Sequence, residues 1–134
     1  MGLVYADVEI ENCFNHRRLT VSAVVDSGAV FLCVPEHIAV QLGFDATETE
    51  TREVRMANGH VQAVPIIGPL RIRFAGRHCD CSALVLGDET LFGAVPMEMM
   101  DLVVHPATRQ LSVHPESPYV PRAHAKSARR AATP

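Results

Sequence analysis

The sequence contains no tryptophan, few aromatic residues of any kind (5%), no second copy of its Asp-Ser-Gly tripeptide and no evident internal repeat. Scarce aromatics leave Val, Leu, Ile, Ala and Met to build the core, a palette that suits packed β-sheet. No apolar run approaches the roughly 20 residues that span a bilayer. The opening residues, Met1 to Asp7, lack the basic and apolar regions of a signal peptide, so the expected location is cytoplasmic, with no membrane partner. Cys13, Cys33, Cys79 and Cys81 show no disulfide-framework spacing, which agrees with free thiols in a reducing compartment. A chain of 134 residues that is 48% hydrophobic can bury one core and is too short for two ordinary domains.

Charge is unevenly placed. All 15 acidic residues lie at or before Glu116, together with 8 of the 12 basic ones, which leaves the body at −7 and the remainder at +4. Residues 1–116 are therefore expected to form the folded domain. Residues 117–134, rich in Pro, Ala, Ser and Arg, are expected to be a disordered basic tail. Such a tail could touch an acidic partner, but a nucleic-acid partner is not expected.

Period-two alternation dominates the body. Val4, Ala6, Val8 and Ile10 alternate with polar residues, Asn12 to Arg18 offers turn chemistry, and Leu19, Val21, Ala23 and Val25 alternate again. Val30 to Val34 reads as a short buried strand, and Pro35 to Gly43 as a short helix begun by proline and ended by glycine. Asp45 to Thr51 reads as a loop or irregular edge. Val54 and Met56 then lead to Asn58-Gly59, and Val61 and Ala63 lead away, which is a strong hairpin signal. Leu70 to Phe74 and Cys79 to Val85 form a further hairpin around Ala75-Gly76-Arg77. Leu91 to Val95 reads as a strand, Pro96 to Asp101 as a helical turn or two, and Leu102 to Val104 as a strand turning at His105-Pro106-Ala107-Thr108 toward Leu111 and Val113. The fold class is all-β with one or two short helices.

Two of these strands end in glycine turns that carry chemistry. The first delivers Asp26-Ser27-Gly28-Ala29; the second, Leu91-Phe92, leads into Gly93-Ala94. Alone, Asp-Ser-Gly is ordinary turn composition. Order and spacing together make residues 3 to 115 resemble the retroviral-type (retropepsin-like) aspartic proteases, specifically their small bacterial stand-alone members. That resemblance implies a closed, barrel-like β fold whose hairpin at Ala57, Asn58, Gly59 and His60 is a flap over the substrate. It also implies a homodimer, since this chain has one Asp-Ser-Gly where the two-lobed enzymes carry both aspartates.

On this resemblance the chain is expected to be an aspartic endopeptidase acting on peptide or protein substrates, without cofactor or metal. Asp26 from each subunit would share a proton and activate water, Ser27 would hydrogen-bond across the dimer axis, and Gly28 would permit close approach. Ala29, Val30, Ala57, Asn58, Gly59 and Val95 are the expected substrate-binding residues, with Val61 and Val64 as further apolar walls. The chain departs from the viral pattern at Ala94, where those enzymes carry Arg, and at Val30, where they often carry Asp. The alternative is a non-catalytic retropepsin-like module that dimerises and binds peptides.

Other chemistries fit less well. Cys79-Asp80-Cys81 beside His78 could suggest a metal site, but thiols two apart on a strand share a face with Ala83 and Val85 and read as core. No glycine-rich nucleophile elbow surrounds Ser27, so the aspartate reading uses more of the tetrapeptide than a serine nucleophile does.

Overall fold

A computed structural model describes residues 3–123. The alternating opening becomes a hairpin of β1 (Val4–Asn12) and β2 (Arg18–Val25), paired antiparallel with Val8 opposite Val21 and Ile10 opposite Leu19. Its turn is held by asparagines: Asn12 Oδ1 accepts from Phe14 N–H and Asn15 Oδ1 from Arg17 N–H. Both side-chain amides then donate to Leu42 O, at 2.8 and 3.1 Å, and fasten the turn to the end of the first helix.

That helix, α1 (Glu36–Gln41), follows β3 (Leu32–Val34) and starts where the Pro35 carbonyl accepts from Ile38 and Ala39. β3 is shorter than the expected Val30 to Val34, because residues 30 and 31 belong to the preceding loop. β4 (Thr51–Arg55) and β5 (Val61–Phe74) form the next hairpin. β5 is one continuous strand rather than two. It tolerates Pro69, which cannot donate to a ladder, through a register shift between Ile67 and Leu70. β6 (Arg77–Val85) returns antiparallel to β5 and runs parallel to β3.

β7 is only Leu91–Phe92, inserted between β2 and β3. Helix α2 (Ala94–Met100) begins two residues earlier than Pro96 suggests, and Pro96 sits in the first turn, where its missing N–H costs nothing. β8 (Leu102–His105) and β9 (Gln110–Val113) form a separate two-stranded sheet. The large sheet runs β1-β2-β7-β3-β6-β5-β4, and because β1 also pairs with β5 its ring of strands closes, leaving β4 outside the ring. The fold is all-β with two short helices, as expected.

Inward residues of this ring, among them Ile10, Leu32, Leu70, Ile72 and Phe92, are fully buried with Met100 of α2. Each such side chain contributes about 1.5–3 kcal/mol by leaving water. Cys79 lies in this core, and all four thiols are free. The Cys79 thiol is pushed well above the ordinary value by its contact with Cys81 and by burial.

Charged residues organise the outside. Glu11, buried at the end of β1, accepts from His16 Nδ1 at 2.9 Å and from Arg73 at 2.6 Å. Arg77 is buried as well; it donates to Met100 O at 2.9 Å, to Asp101 O at 3.0 Å and to Ser117 O, tying together the end of α2 and the C-terminal segment. The expected tail falls mostly outside the described residues. Of its described part, Ser117 is buried and donates through Oγ to Asp101, and Arg122 N–H donates to the same carboxylate at 2.9 Å. Among the described residues no helix is long and apolar enough to cross a membrane.

Candidate active site

β2 delivers Asp26 along the parallel partner that β7 provides. Val24 N–H donates to Thr90 O at 2.9 Å, and Asp26 N–H to Phe92 O at 3.1 Å, so the pairing continues into the aspartate. The chain then turns back through Ala29 N–H to Asp26 O at 3.1 Å. Gly28 N–H meets Asp26 Oδ1 at 2.9 Å, which fixes the carboxylate's orientation from within its own loop. Asp26, Ser27 and Gly28 are all exposed, and Asp26 Oδ2 accepts no hydrogen bond from the described residues.

The loop is clamped to α2. Ala94 N–H donates to Ala29 O at 2.7 Å and Val95 N–H to Val30 O at 2.9 Å, so the first amides of the helix are satisfied by the loop's carbonyls. Between them Gly93 is extended, and a Cβ there would lie 2.4 Å from Phe31 O and 2.9 Å from Ala29 O. Only hydrogen fits at that crossing.

Facing the loop is the β4–β5 hairpin, and between them lies a cleft of about 610 Å³. The loop contributes Asp26, Gly28, Ala29, Val30 and Phe31 to its lining; the hairpin contributes Arg52 to Ala57; Cys33, Leu84, Leu86 and Leu91 complete it. Arg52 reaches across, its guanidinium carbon 4.9 Å from the centre of the Phe31 ring. Beneath the cleft, Cys33, Val64 and Leu84 form a small apolar cluster with Val54 and Ile66 packed on it. A polar concavity of about 430 Å³ lies elsewhere, among Asp7, Glu9, Thr20, Arg73 and His78, and does not include Asp26.

The hairpin tip is a three-residue loop. Met56 N–H donates to His60 O at 2.7 Å, Gly59 N–H to Met56 O at 2.9 Å, and Gly59 takes φ +84°, a value natural to glycine. Asn58 Oδ1 accepts from His60 N–H at 2.9 Å, so its side chain serves the turn itself.

The expected residues thus separate. Asp26, Gly28, Ala29, Val30 and Ala57 meet at the cleft, and Ser27 lies on the same loop. Asn58 and Gly59 sit at the exposed tip, outside the cleft lining; Val95 is half-buried on α2; Val61 is exposed; Val64 is buried under the cleft. Sequence reading missed Phe31, Arg52, Val54, Met56, Leu84, Leu86 and Leu91. The alternation of Arg52, Val54 and Met56 was an available signal for one face. Nothing local could bring β6 and β7 to it. Among the described residues no group of three or more His, Cys, Asp or Glu side chains is arranged to hold a metal ion.

Residues 10–97 match the model of the family described as "gag-polyprotein putative aspartyl protease". The fold is similar to the retroviral protease-like domain of Ddi1 from Leishmania major (TM-score 0.60, 16% identity, covering 86% of this chain and 90% of that one). It is similar to a retropepsin-like aspartic protease from Rickettsia conorii (TM-score 0.62, 21% identity, 78% of each chain). It is similar also to the EIAV protease complexed with the inhibitor HBY-793 (TM-score 0.56, 18% identity, 73% of this chain and 88% of that one). No curated protein sequence matches significantly.

Proposed function

The chain belongs to the gag-polyprotein aspartyl protease family, and on that premise we propose that it is an aspartic endopeptidase acting as a homodimer, with one Asp26 from each subunit. The observation that carries this reading is the exposed Asp26 carboxylate, oriented by its own loop at the edge of a cleft that a hairpin borders on the other side.

The chemistry follows from pairing. Two carboxylates about 3 Å apart cannot both ionise, so they hold one proton between them. The ionised one draws a proton from water as it attacks the peptide carbonyl; the protonated one donates to the carbonyl oxygen, and collapse of the tetrahedral intermediate passes a proton to the leaving amine. The pair titrates as a unit. Ser27, beside Asp26 on the exposed loop, is assigned to bridge the two loops across the dimer axis. The β4–β5 hairpin acts as the flap, and an extended peptide binds between flap and loop as an added strand.

The test is digestion of a diverse peptide library across acidic to neutral pH by the wild type and by Asp26→Asn, read by mass spectrometry. Cleavage present in the first and lost in the second supports the endopeptidase. No cleavage by either, with a dimer present in solution, favours a peptide-binding module.

A further inference from the structure

We propose that Arg52 selects the substrate: peptides bound in the cleft carry a carboxylate side chain two residues from the apolar side chain seated against Val54. This rests on the cleft being the peptide site proposed above.

Arg52 and Val54 are two apart on β4 and share a face, and Met56 follows in the same alternation just beyond the strand. That face looks into the cleft, since Val54 packs on the Cys33, Val64 and Leu84 cluster and Arg52 lies over Phe31 on the opposite wall. An extended peptide lying along β4 has the same period of two, so side chains i and i+2 meet Arg52 and Val54 together. The two contacts therefore read as one pattern.

The charge on Arg52 is uncommitted. Arg18, Arg71 and Arg73 each pair with a carboxylate, and buried Arg77 is satisfied by carbonyls. Among the described residues no carboxylate lies within ion-pairing distance of Arg52. The contact with the Phe31 ring uses none of the guanidinium's N–H donors, which leaves them for a bidentate carboxylate, and it limits the rotamers such a bond would have to freeze. The other charged groups lining the cleft are Asp26, Glu53 and Arg55; strand alternation places Glu53 and Arg55 on the other face of β4. Arg52 is exposed, and Leu84, Leu86 and Leu91 line the same cleft, so a peptide bound there covers the charge pair and strengthens it.

The experiment uses fluorogenic peptides in which Glu, Gln or Lys is stepped through every position around an apolar residue. Two readouts are taken: kcat/KM with the wild type, and binding to Asp26→Asn by fluorescence anisotropy. At a position two residues from the apolar side chain, Glu is expected to exceed Lys by about tenfold or more, or about 1.4 kcal/mol, with Gln between. Arg52→Gln brings the ratio to within about twofold and Arg52→Glu reverses it, and added salt shrinks it. Binding that shows this dependence without cleavage by the wild type removes the protease reading and keeps the specificity. Cleavage with a Glu-to-Lys ratio near one, a ratio unchanged in Arg52→Glu, or no peptide binding at all overturns the proposal.

Discussion

The amide of Ala94 donates to the carbonyl of Ala29 at 2.7 Å, and through it the start of α2 holds the loop that carries Asp26. The contact exists because Gly93 lets two backbones cross without a side chain between them. Loop position and helix position are consequently one variable.

Gly93→Ala places a methyl carbon against the Phe31 and Ala29 carbonyls, neither of which is a flexible side chain. The expected cost is about 2 kcal/mol or more, a fall of roughly 5–10 °C in Tm, with activity lost before the fold is. Thermal denaturation beside peptide cleavage measures both. Unchanged activity in a folded Gly93→Ala protein would mean that the loop does not need this clamp.

Asp26→Asn keeps the side chain's size and its Oδ1 acceptor, so the Gly28 contact survives. Under the proposed mechanism kcat falls by at least about a thousandfold, as for removal of one member of a catalytic unit. Sedimentation should show the dimer retained or tightened, because the facing pair no longer has to take up a proton in order to assemble. Wild-type kcat/KM is expected to trace a bell on the acidic side of neutral. A residual mutant rate within tenfold of wild type would falsify the mechanism.

Arg77→Ala strips the partners from three carbonyls, those of Met100, Asp101 and Ser117, at a buried position. Stability should fall by about 2–4 kcal/mol. Hydrogen exchange should quicken first in the segment near Ser117, ahead of β1 and β5. Equal acceleration everywhere would indicate that the segment folds only with the whole.

Glu11 is held down at about 2 from an ordinary 4.5, first by the His16 hydrogen bond and then by Arg73. A group depressed in the folded state binds its proton more readily when unfolded, so its contribution is complete above about pH 4.5 and drains away toward pH 2. Asp45, Asp80 and Asp101 are lowered too, by Thr47, Arg71 and Ser117 respectively. Comparing Tm of the wild type and Glu11→Gln from pH 6 to about pH 2 isolates the Glu11 share. The gap between them should narrow as acid is added, and a gap independent of pH would assign the stabilisation to packing.

Much of the fold was legible because the alternation in Val4 to Val25 and Cys79 to Val85, and the turn chemistry of Asn58-Gly59, are local. Asp26, Gly28 and Ala29 were legible at the cleft for a similar reason: one tetrapeptide carries them. The helix at Ala94 was not. Its start is decided by the Ala29 and Val30 carbonyls, which no window around Pro96 contains. Phe31 and Leu84 were missed as cleft residues because the parallel pairing of β3 with β6 is set by the closure of the whole ring, and Val64 was expected at the wall because alternation cannot say how deep a hairpin lies.

Closing β1 onto β5 satisfies the large sheet's backbone nearly all the way round and, among the described residues, leaves β4 with one unpartnered side. Such a side is a template for any passing strand, including another copy of itself, and is where aggregation begins. In this chain it reads Thr51-Arg52-Glu53-Val54-Arg55, three charges in five residues. Those charges tax indiscriminate strand addition, so the residues that guard this edge against self-pairing are the same ones that would sort the peptides proposed to bind along it.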